Sequence, residues 1–363
     1  MQKVSSRRIR RITLIVLFVF VLLIRFIPYG GEFYATYLYP SISSFLSWVA
    51  SCVSFSLEEW LVLLFAFVLV FYPIIAFLCG RNWKRTLKGE LEVAGWLFVW
   101  FYMGWGCNYF RNSFYERLMV APLPYSETLF DHYLSDYTDS LNASYVAVSK
   151  IDEVKVREEI KELYRCVPYG YGLTEPKDYQ EPKELCFNEL YSSVGVLGYM
   201  GPFFCESQVN EELLPVQYPF TYAHELAHLL GVSSEAEANF WAYTVCTHSH
   251  IRAVKYAGYL GMLPYIMQNL SKTHSKEFFN EWQERVNPSI LQERKQISKY
   301  WQDRHSSFLG GVQNVFYDLF LKSNKISNGK QNYADAIAMI IAVRVSMDES
   351  PLKLQGRGLS KKQ

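Results

Sequence analysis

The sequence predicts a mainly α-helical (α+β) membrane protein, with N-terminal transmembrane helices followed by a mostly helical domain. Three observations support this fold class. The longest apolar runs lie within the first 107 of the 363 residues. Beyond them, apolar and charged residues recur at helical spacing. One tract, residues 190–210, is rich in glycine and aromatic residues and predicts a small β element of short extended segments and turns.

Three apolar segments form the predicted membrane anchor, residues 1–107. They are residues 12–27, residues 61–79 and residues 92–107; the last is shorter than the second and ends in aromatic residues suited to a membrane interface. The moderately apolar stretch 33–55 fits either an interfacial helix or an N-terminal extension of the second segment. The lipid bilayer is therefore a predicted partner.

The distribution of basic residues predicts the orientation of this anchor. Five Lys and Arg residues precede the first segment, and four more lie in residues 81–88, between the second and third segments. The connection 28–57 has none. Because cytoplasmic loops collect Lys and Arg, the N-terminus is expected in the cytoplasm and everything after Asn108 outside it. In a bacterium this is a multi-pass protein of the inner (plasma) membrane with a periplasmic domain.

The predicted extracytoplasmic domain covers residues 108–348, and the polar tail 349–363 is expected to be disordered. Helices are expected near residues 126–148 and 151–166. Cys166 and Cys186 flank a loop rich in Pro, Gly and Tyr. Either a disulfide or two buried thiols would explain this pair.

Two partner classes have no support in the sequence. The chain has no Gly-rich phosphate loop, no Cys-x-x-Cys pair and no basic stripe with interleaved aromatic residues, and its net charge is +1. We therefore expect neither a nucleotide nor a nucleic acid as a ligand.

The pattern His-Glu-x-x-His at residues 224–228 carries the functional prediction. On a helix, His224 and His228 lie one turn apart on the same face and can reach one metal ion. Glu225 can hold a water molecule beside that ion, as in zinc hydrolases. The surrounding residues are apolar, which predicts a buried helix whose polar groups need partners. Gly231 is predicted to end this helix, and Ser233 or Ser234 to begin the next.

The motif, together with Glu235-x-x-x-Asn239, resembles the gluzincin type of zincin metallopeptidases. The resemblance implies a zincin-like domain in which Glu235 is the third Zn²⁺ ligand and Asn239 supports a ligand histidine. Glu237 is the alternative third ligand. The whole chain also resembles an uncharacterised bacterial family of membrane-anchored proteins with this motif.

The predicted function is hydrolysis of a peptide or protein substrate, with Glu225 as the general base for a zinc-activated water. The alternative is a non-catalytic membrane protein whose metal site serves structure or sensing. A strand just before the metal-binding helix could bind a substrate backbone by strand addition, with an ordinary hairpin as the alternative. Candidate donors to a reaction oxyanion are tyrosines, and the sequence does not choose among Tyr243, Tyr256, Tyr259 and Tyr317.

Overall fold

Helices dominate the computed structural model, which describes residues 6–306 and 333–347. Within those residues a small sheet of three short strands precedes the helix that carries His224. The prediction of a mainly α-helical fold with a small β element at this place is confirmed. The chain divides into two units: residues 1–112 with 201–206, and residues 113–200 with 207–363.

The first unit is built from helices and short helical turns. Its two longest helices begin at side-chain caps, where Ser56 accepts from the amide of Glu59 at 3.2 Å and Asn82 accepts from that of Lys84 at 3.0 Å. The elements are α1 (Ser6–Phe26), α2 (Gly30–Phe33), a π-helical turn (Tyr34–Leu38), α3 (Tyr39–Ser51), α4 (Leu57–Leu78), α5 (Trp83–Gly104) and a 3₁₀ turn (Gly106–Phe110).

One helix among the described residues is by itself long and apolar enough to cross a membrane, and this is α4. Its side chains are mostly exposed, as expected for a helix that faces lipid. Helix α1 meets the same criterion only together with residues 30–51, as a pair bent by 117°. Helix α5 does not meet it, because its first half carries several charged residues. Of the three predicted spans, the structure therefore shows one clear candidate.

The first unit also includes residues 201–206, which the sequence did not predict. The carboxylate of Glu58, at the start of α4, accepts hydrogen bonds from the amides of Phe203 and Phe204 at 3.0 and 3.1 Å. The carboxylate of Glu206 accepts in turn from the Ser56 hydroxyl at 2.8 Å and from the Glu58 amide at 2.7 Å. Both carboxylates are buried, and these bonds satisfy oxygens that would otherwise lie unpaired.

The second unit contains the remaining helices. The expected helices at 126–148 and 151–166 are present with slightly shorter bounds, and each begins at a side-chain cap, Ser126 and Asp152 respectively. The helices are α6 (Phe114–Leu118), α7 (Glu127–Ser144), α8 (Glu153–Arg165), α9 (Asn188–Ser193), α10 (Tyr218–Leu229), α11 (Glu235–His248), α12 (Arg252–Thr273), α13 (Lys276–Arg285), α14 (Pro288–Gln302) and α15 (Tyr333–Ser346), with a 3₁₀ turn at Tyr169–Tyr171.

Helices α10, α11 and α12 pack on one another and form the centre of this unit. Their fully buried aromatic side chains include Tyr222, Phe240, Trp241 and Tyr256. A surface helix has one apolar and one polar face, whereas a helix that is buried on most of its surface is apolar nearly all round. The two histidines therefore lie on a core helix, as the apolar residues around them predicted.

The sheet consists of β1 (Lys183–Glu184), β2 (Gly198–Gly201) and β3 (Glu206–Val209) in the order β1–β3–β2. Strand β1 is parallel to β3, with Lys183 opposite Gln208. Strand β2 thus lies at an edge of the sheet. The tract 190–210 begins with the end of α9 rather than with an extended segment, and the predicted β element occupies its second half.

Two further predictions from the sequence concern the cysteine pair and the C-terminal tail. Cys166 and Cys186 are not joined by a disulfide; Cys166 ends α8 half-buried and Cys186 is exposed. Both cysteines are therefore thiols, as in the second alternative, but the expectation that both are buried is wrong. The tail 349–363 and Tyr317 lie outside the described residues.

Candidate metal centre

The C-terminal turn of α10 fixes His228. Gly231 has φ of +100°, a backbone conformation that glycine adopts without steric cost. Its amide donates to the carbonyl of His228 at 3.0 Å, and the Val232 amide donates to that of Ala227 at 3.1 Å, which is the Schellman arrangement. The reversal brings the Val232 carbonyl back to the helix, where it lies 2.8 Å from Nδ1 of His228.

Helix α11 begins immediately after this turn and supplies two further polar groups. Ser234 is its N-cap, with the hydroxyl accepting from the amide of Glu237 at 3.4 Å. Glu235 is the first residue of the helix, and its carboxylate reaches α10. One turn further, Oδ1 of Asn239 lies 3.0 Å from Nδ1 of His224. The helix end predicted at Gly231 is confirmed, and of the two predicted N-cap candidates, Ser233 and Ser234, the structure has Ser234.

Three ligand atoms converge between the two helices. Nε2 of His224 lies 3.1 Å from Nε2 of His228 and 3.1 Å from Oε2 of Glu235. Nε2 of His228 lies 3.7 Å from the same carboxylate oxygen. Ligands at the Zn–N and Zn–O distances usual in proteins stand about 3.4 Å apart when the geometry is tetrahedral. The three separations fall on both sides of that value, so the donor set fits one zinc ion.

The hydrogen bonds at Nδ1 determine which ring nitrogens are available. The Val232 carbonyl and Oδ1 of Asn239 are acceptors, so each Nδ1 carries a hydrogen and donates it. In the neutral tautomer each Nε2 then presents a lone pair. Two lone pairs and a carboxylate oxygen within 4.8 Å of one another need a proton or a metal cation between them.

The electrostatic interactions of His228 and Glu235 also favour a cation between the converging side chains. Burial acts to lower the pKa of His228, but the Glu235 carboxylate outweighs it and raises that pKa to about 9. Burial acts to raise the pKa of Glu235, and the two histidines hold it well below its usual range. A positive charge between these residues is therefore favoured, and a divalent cation supplies one.

Glu225 lies beside this centre on the same helix and is buried. Burial raises the pKa of its carboxyl group, against the effect of the nearby His224 and His228. Among the described residues, no group forms a hydrogen bond with this carboxylate. Strand β2 passes directly over it: a Cβ atom at Gly198 would stand 2.8 Å from Oε1 and 2.7 Å from Cγ of Glu225. Only glycine at this position leaves the carboxylate its space.

The alternative ligand Glu237 has other partners. Its carboxylate forms an ion pair with the guanidinium of Arg117, and both side chains are almost completely buried. It also accepts a hydrogen bond from the indole of Trp241 at 3.1 Å. Because these contacts occupy the carboxylate, Glu235 rather than Glu237 is the acidic residue that joins the two histidines.

A second group of potential ligands lies at the start of α7 and consists of Glu127, Asp131 and His274. Nε2 of His274 lies 2.9 Å from the carboxylate of Asp131, and its other ring nitrogen lies 2.8 Å from the hydroxyl of Thr273. The imidazole ring stacks on Phe278. A hydrogen bond between this imidazole and Asp131 accounts for the buried ring without a metal.

The candidate oxyanion donors are hydrogen-bonded or packed elsewhere. The hydroxyl of Tyr256 donates to Glu293 at 2.5 Å. The rings of Tyr243 and Tyr259 pack against each other with centroids 5.6 Å apart, and both line a pocket with Asp136 and Arg344. No described tyrosine of this set is assigned to the metal centre.

A comparison of the sequence with protein families assigns the chain to one of them. The sequence profile described as "Protein of unknown function (DUF3810)" matches residues 34–341, which is most of the chain. The chain belongs to the DUF3810 family. The matched region includes the whole donor set of residues 224–239, so the centre lies within the DUF3810 domain. No curated protein and no solved structure matches the chain.

Sequence reasoning missed three parts of the centre. The carbonyl of Val232 and the close approach of Gly198 are backbone features, which no side-chain pattern encodes. Glycine at 198 was the available signal, since an isolated glycine in a strand often marks a close backbone approach. The Arg117–Glu237 pair joins residues far apart in the chain, and neither residue carries a local pattern that predicts it.

Proposed function

We propose that this DUF3810 protein is a membrane-anchored zinc metallopeptidase. The observation that carries the proposal is the convergence of Nε2 of His224, Nε2 of His228 and Oε2 of Glu235, with both Nδ1 atoms held by acceptors. A structural zinc site is closed by four protein ligands, whereas three ligands leave one position for water. Glu225, next to His224 on the same helix, is not part of the donor set and would be available to act on that water.

Each residue of the centre has a defined task in this proposal. Zinc, when bound, supplies Lewis acidity, which polarises a carbonyl group and lowers the pKa of water. His224, His228 and Glu235 hold the ion, while Asn239 and the Val232 carbonyl fix the orientation of the two imidazoles. The carboxylate of Glu225 accepts a proton from the attacking water and delivers it to the leaving amine.

The state of Glu225 supports a catalytic rather than a structural centre. It is buried, its pKa is raised by burial, and among the described residues nothing forms a hydrogen bond with its carboxylate. A buried carboxylate without partners is costly, and such groups are concentrated at functional sites. Two side chains that could close the coordination sphere, Glu237 and Asn239, have other contacts. This favours the enzyme over a metal site for structure or sensing.

Strand β2 is the proposed binding edge for the substrate. It is an edge strand, and its Gly198 lies against Glu225. An extended peptide that pairs with an edge strand is held by main-chain hydrogen bonds, which are independent of sequence. A peptide added to β2 would therefore lie beside the general base.

For the anchor we propose three membrane crossings, formed by α1, α4 and α5, with the N-terminus in the cytoplasm and the domain after residue 108 outside. Arg10 and Arg11 of α1 contact Glu92 of α5 at 2.5 and 3.2 Å, so the N-terminal halves of these helices lie side by side. The basic start of α1 and the basic residues at the start of α5 therefore share one end of the unit. This matches the bias of Lys and Arg toward the cytoplasmic side.

Metal content and turnover of the full chain, purified in nanodiscs, test the enzymatic proposal. We expect about one zinc per wild-type chain by mass spectrometry of the metals, in keeping with a single three-ligand site. Glu225→Gln should retain zinc and lose peptide hydrolysis by about 10²–10⁴-fold, the usual contribution of a general base. Glu158→Gln, an exposed carboxylate on α8, is the matched control. Zinc well below one per chain, or unchanged turnover of Glu225→Gln, would contradict the proposal.

Reporter fusions test the topology. A fluorescent protein that folds in the cytoplasm should be active when joined within residues 81–88, and alkaline phosphatase, which needs the periplasm, should be active when joined after residue 347. The opposite result at residue 347 would place the domain in the cytoplasm and remove one of the three crossings.

A further inference from the structure

A pocket of about 550 Å³ lies next to the metal centre in the second unit. Its walls come from the residues before β2, from α10, from α12 and from α14 with the residues after it. The volume is within the range of small-ligand sites, and one large side chain fits it. The proposed peptidase mechanism does not use it.

Two chain connections place the pocket beside Glu225. Thr221 lines the pocket and lies four residues before Glu225 on α10, so the two side chains are on one face of the helix, one turn apart. Leu197 also lines the pocket and directly precedes Gly198, whose backbone lies against Glu225. A peptide that lies along β2 can therefore place a side chain in this pocket.

The walls are largely apolar. Phe220 from α10, Leu260 from α12, and Ile297 and Trp301 from α14 all contribute to them. A Cβ atom at Gly261 would stand 2.4 Å from the ring of Phe220, so the glycine allows α12 to approach α10 here. Such a surface favours a ligand with an aliphatic or aromatic body.

One wall carries a positive charge that has no ion-pair partner among the residues that the structure describes. Arg294 lines the pocket from α14, and its Nε atom is buried without a hydrogen-bond partner. Burial alone lowers the pKa of its guanidinium, which still stays charged near neutral pH. The neighbouring Glu293 is engaged by the hydroxyl of Tyr256. Among the described residues that line the pocket there is no Asp or Glu, and the other basic residue, His305, is exposed.

We propose that this pocket is the specificity site of the peptidase and that Arg294 binds a carboxylate of the substrate. The proposal rests on the proposed function. The preferred substrates carry an apolar body next to a carboxylate, which is either an acidic side chain or a free peptide C-terminus. A charged hydrogen bond from a half-buried guanidinium is stronger than one between neutral groups, and a carboxylate matches its two-pronged geometry.

Binding of a simple probe tests the pocket without hydrolysis. The full chain in nanodiscs of uncharged lipid is stripped of metal with a chelator, so that no carboxylate can bind to zinc. Titration calorimetry then compares 4-phenylbutanoate with 4-phenylbutanamide, which has the same body without the charge. We expect the acid to bind at least tenfold more tightly to the wild type. Arg294→Gln should remove this difference, and Arg294→Lys should keep part of it.

Lys295→Gln is the matched control, since it removes an exposed charge from the same helix. It should leave the preference for the acid unchanged, and thermal unfolding of all variants shows that they are folded. Equal binding of acid and amide by the wild type, or an unchanged preference in Arg294→Gln, would overturn the proposal.

A cleavage experiment on the zinc-loaded protein separates the two carboxylate sources. Pooled peptides are matched in pairs, with an internal Glu or Gln and with a free or amidated C-terminus, and the products are identified by mass spectrometry. Faster cleavage of Glu peptides assigns the site to an acidic side chain, and faster cleavage of free C-termini assigns it to the terminal carboxylate. Cleavage without either preference overturns the pocket proposal and leaves the peptidase proposal intact. Acid-selective binding without any cleavage would overturn the peptidase proposal and leave the binding of a carboxylate by Arg294 intact.

Discussion

Gly198 lies directly against the carboxylate of Glu225, so that a single added methyl group would stand only 2.8 Å from the carboxylate oxygen Oε1. This contact connects the edge strand with the proposed general base. Because the atoms in the way belong to the end of a flexible side chain, a larger residue would displace the carboxylate rather than prevent folding.

Gly198→Ala should therefore reduce turnover without loss of zinc. The added Cβ would stand 2.7 Å from Cγ of Glu225 and force the carboxylate to move. A displacement of about 1 Å at a catalytic group can cost about 10² in rate. Steady-state kinetics and metal analysis check this. Gly170→Ala is the control, because a Cβ at Gly170 meets nothing within 4 Å. A variant with full activity would exclude Glu225 as the general base in its observed position.

Asn239 should control zinc affinity through His224. Asn239→Leu removes the acceptor at Nδ1, and we expect zinc affinity to fall by about 10- to 100-fold. Asn239→Asp keeps an acceptor oxygen and replaces the Nδ2 group, which has no hydrogen-bond partner among the described residues, so zinc affinity should stay close to that of the wild type. Competition with a chelator measures both. Equal zinc affinity of the Leu variant and the wild type would show that His224 does not need this support.

The sequence predicted those parts of the centre that depend on local spacing. The four-residue separation of His224 and His228, the turn at Gly231 and the cap at Ser233 or Ser234 lie within one short segment, where helix geometry alone decides which side chains meet. The family resemblance gave Glu235 as the third ligand and Glu237 as the alternative, but local spacing did not supply the physical basis of this choice. The choice depends on Arg117, which is distant in the chain and draws Glu237 into a buried ion pair.

In the fold, too, local patterns predicted some features, and features that depend on contacts between distant residues were missed. Helical periodicity indicated α7 and α8 within a few residues, because it reports the buried face of each helix. It did not predict that residues 201–206 belong to the N-terminal unit, which depends on the buried carboxylate of Glu58. Nor did it predict Arg294 in a pocket, because an isolated arginine in a charged helix has no distinguishing pattern.

The Arg117–Glu237 pair should stabilise the fold rather than bind the metal. Both side chains are buried, and removal of one partner of such a pair costs about 3–5 kcal/mol. Glu237→Leu should therefore lower the free energy of unfolding by this amount and leave one zinc per folded chain. The double variant Arg117→Met with Glu237→Leu should recover much of the loss, since no unpaired charge remains. Loss of zinc from folded Glu237→Leu would instead make Glu237 a ligand.

Glu58 should hold the turn between β2 and β3. Its Oε2 atom accepts from the half-buried amides of Phe203 and Phe204, and Glu58→Leu leaves both without this acceptor, at up to about 1–3 kcal/mol for each amide. We expect faster hydrogen exchange at these two amides. Glu58→Gln keeps an oxygen that can accept both bonds and should exchange at nearly the wild-type rate. Equal hydrogen-exchange rates of these amides in Glu58→Leu and in the wild type would show that other contacts hold the turn.

The compact placement of the donor set in residues 224–239 also has a consequence for biogenesis. All three proposed ligands and both supporting acceptors lie within two adjacent helices and one glycine turn. Closing so short a loop costs little chain entropy, and the free energy of zinc binding is available to form it. A nascent chain can thus capture its metal before the residues that follow α11 have been synthesised, so the centre can act as an early nucleus for the rest of the domain.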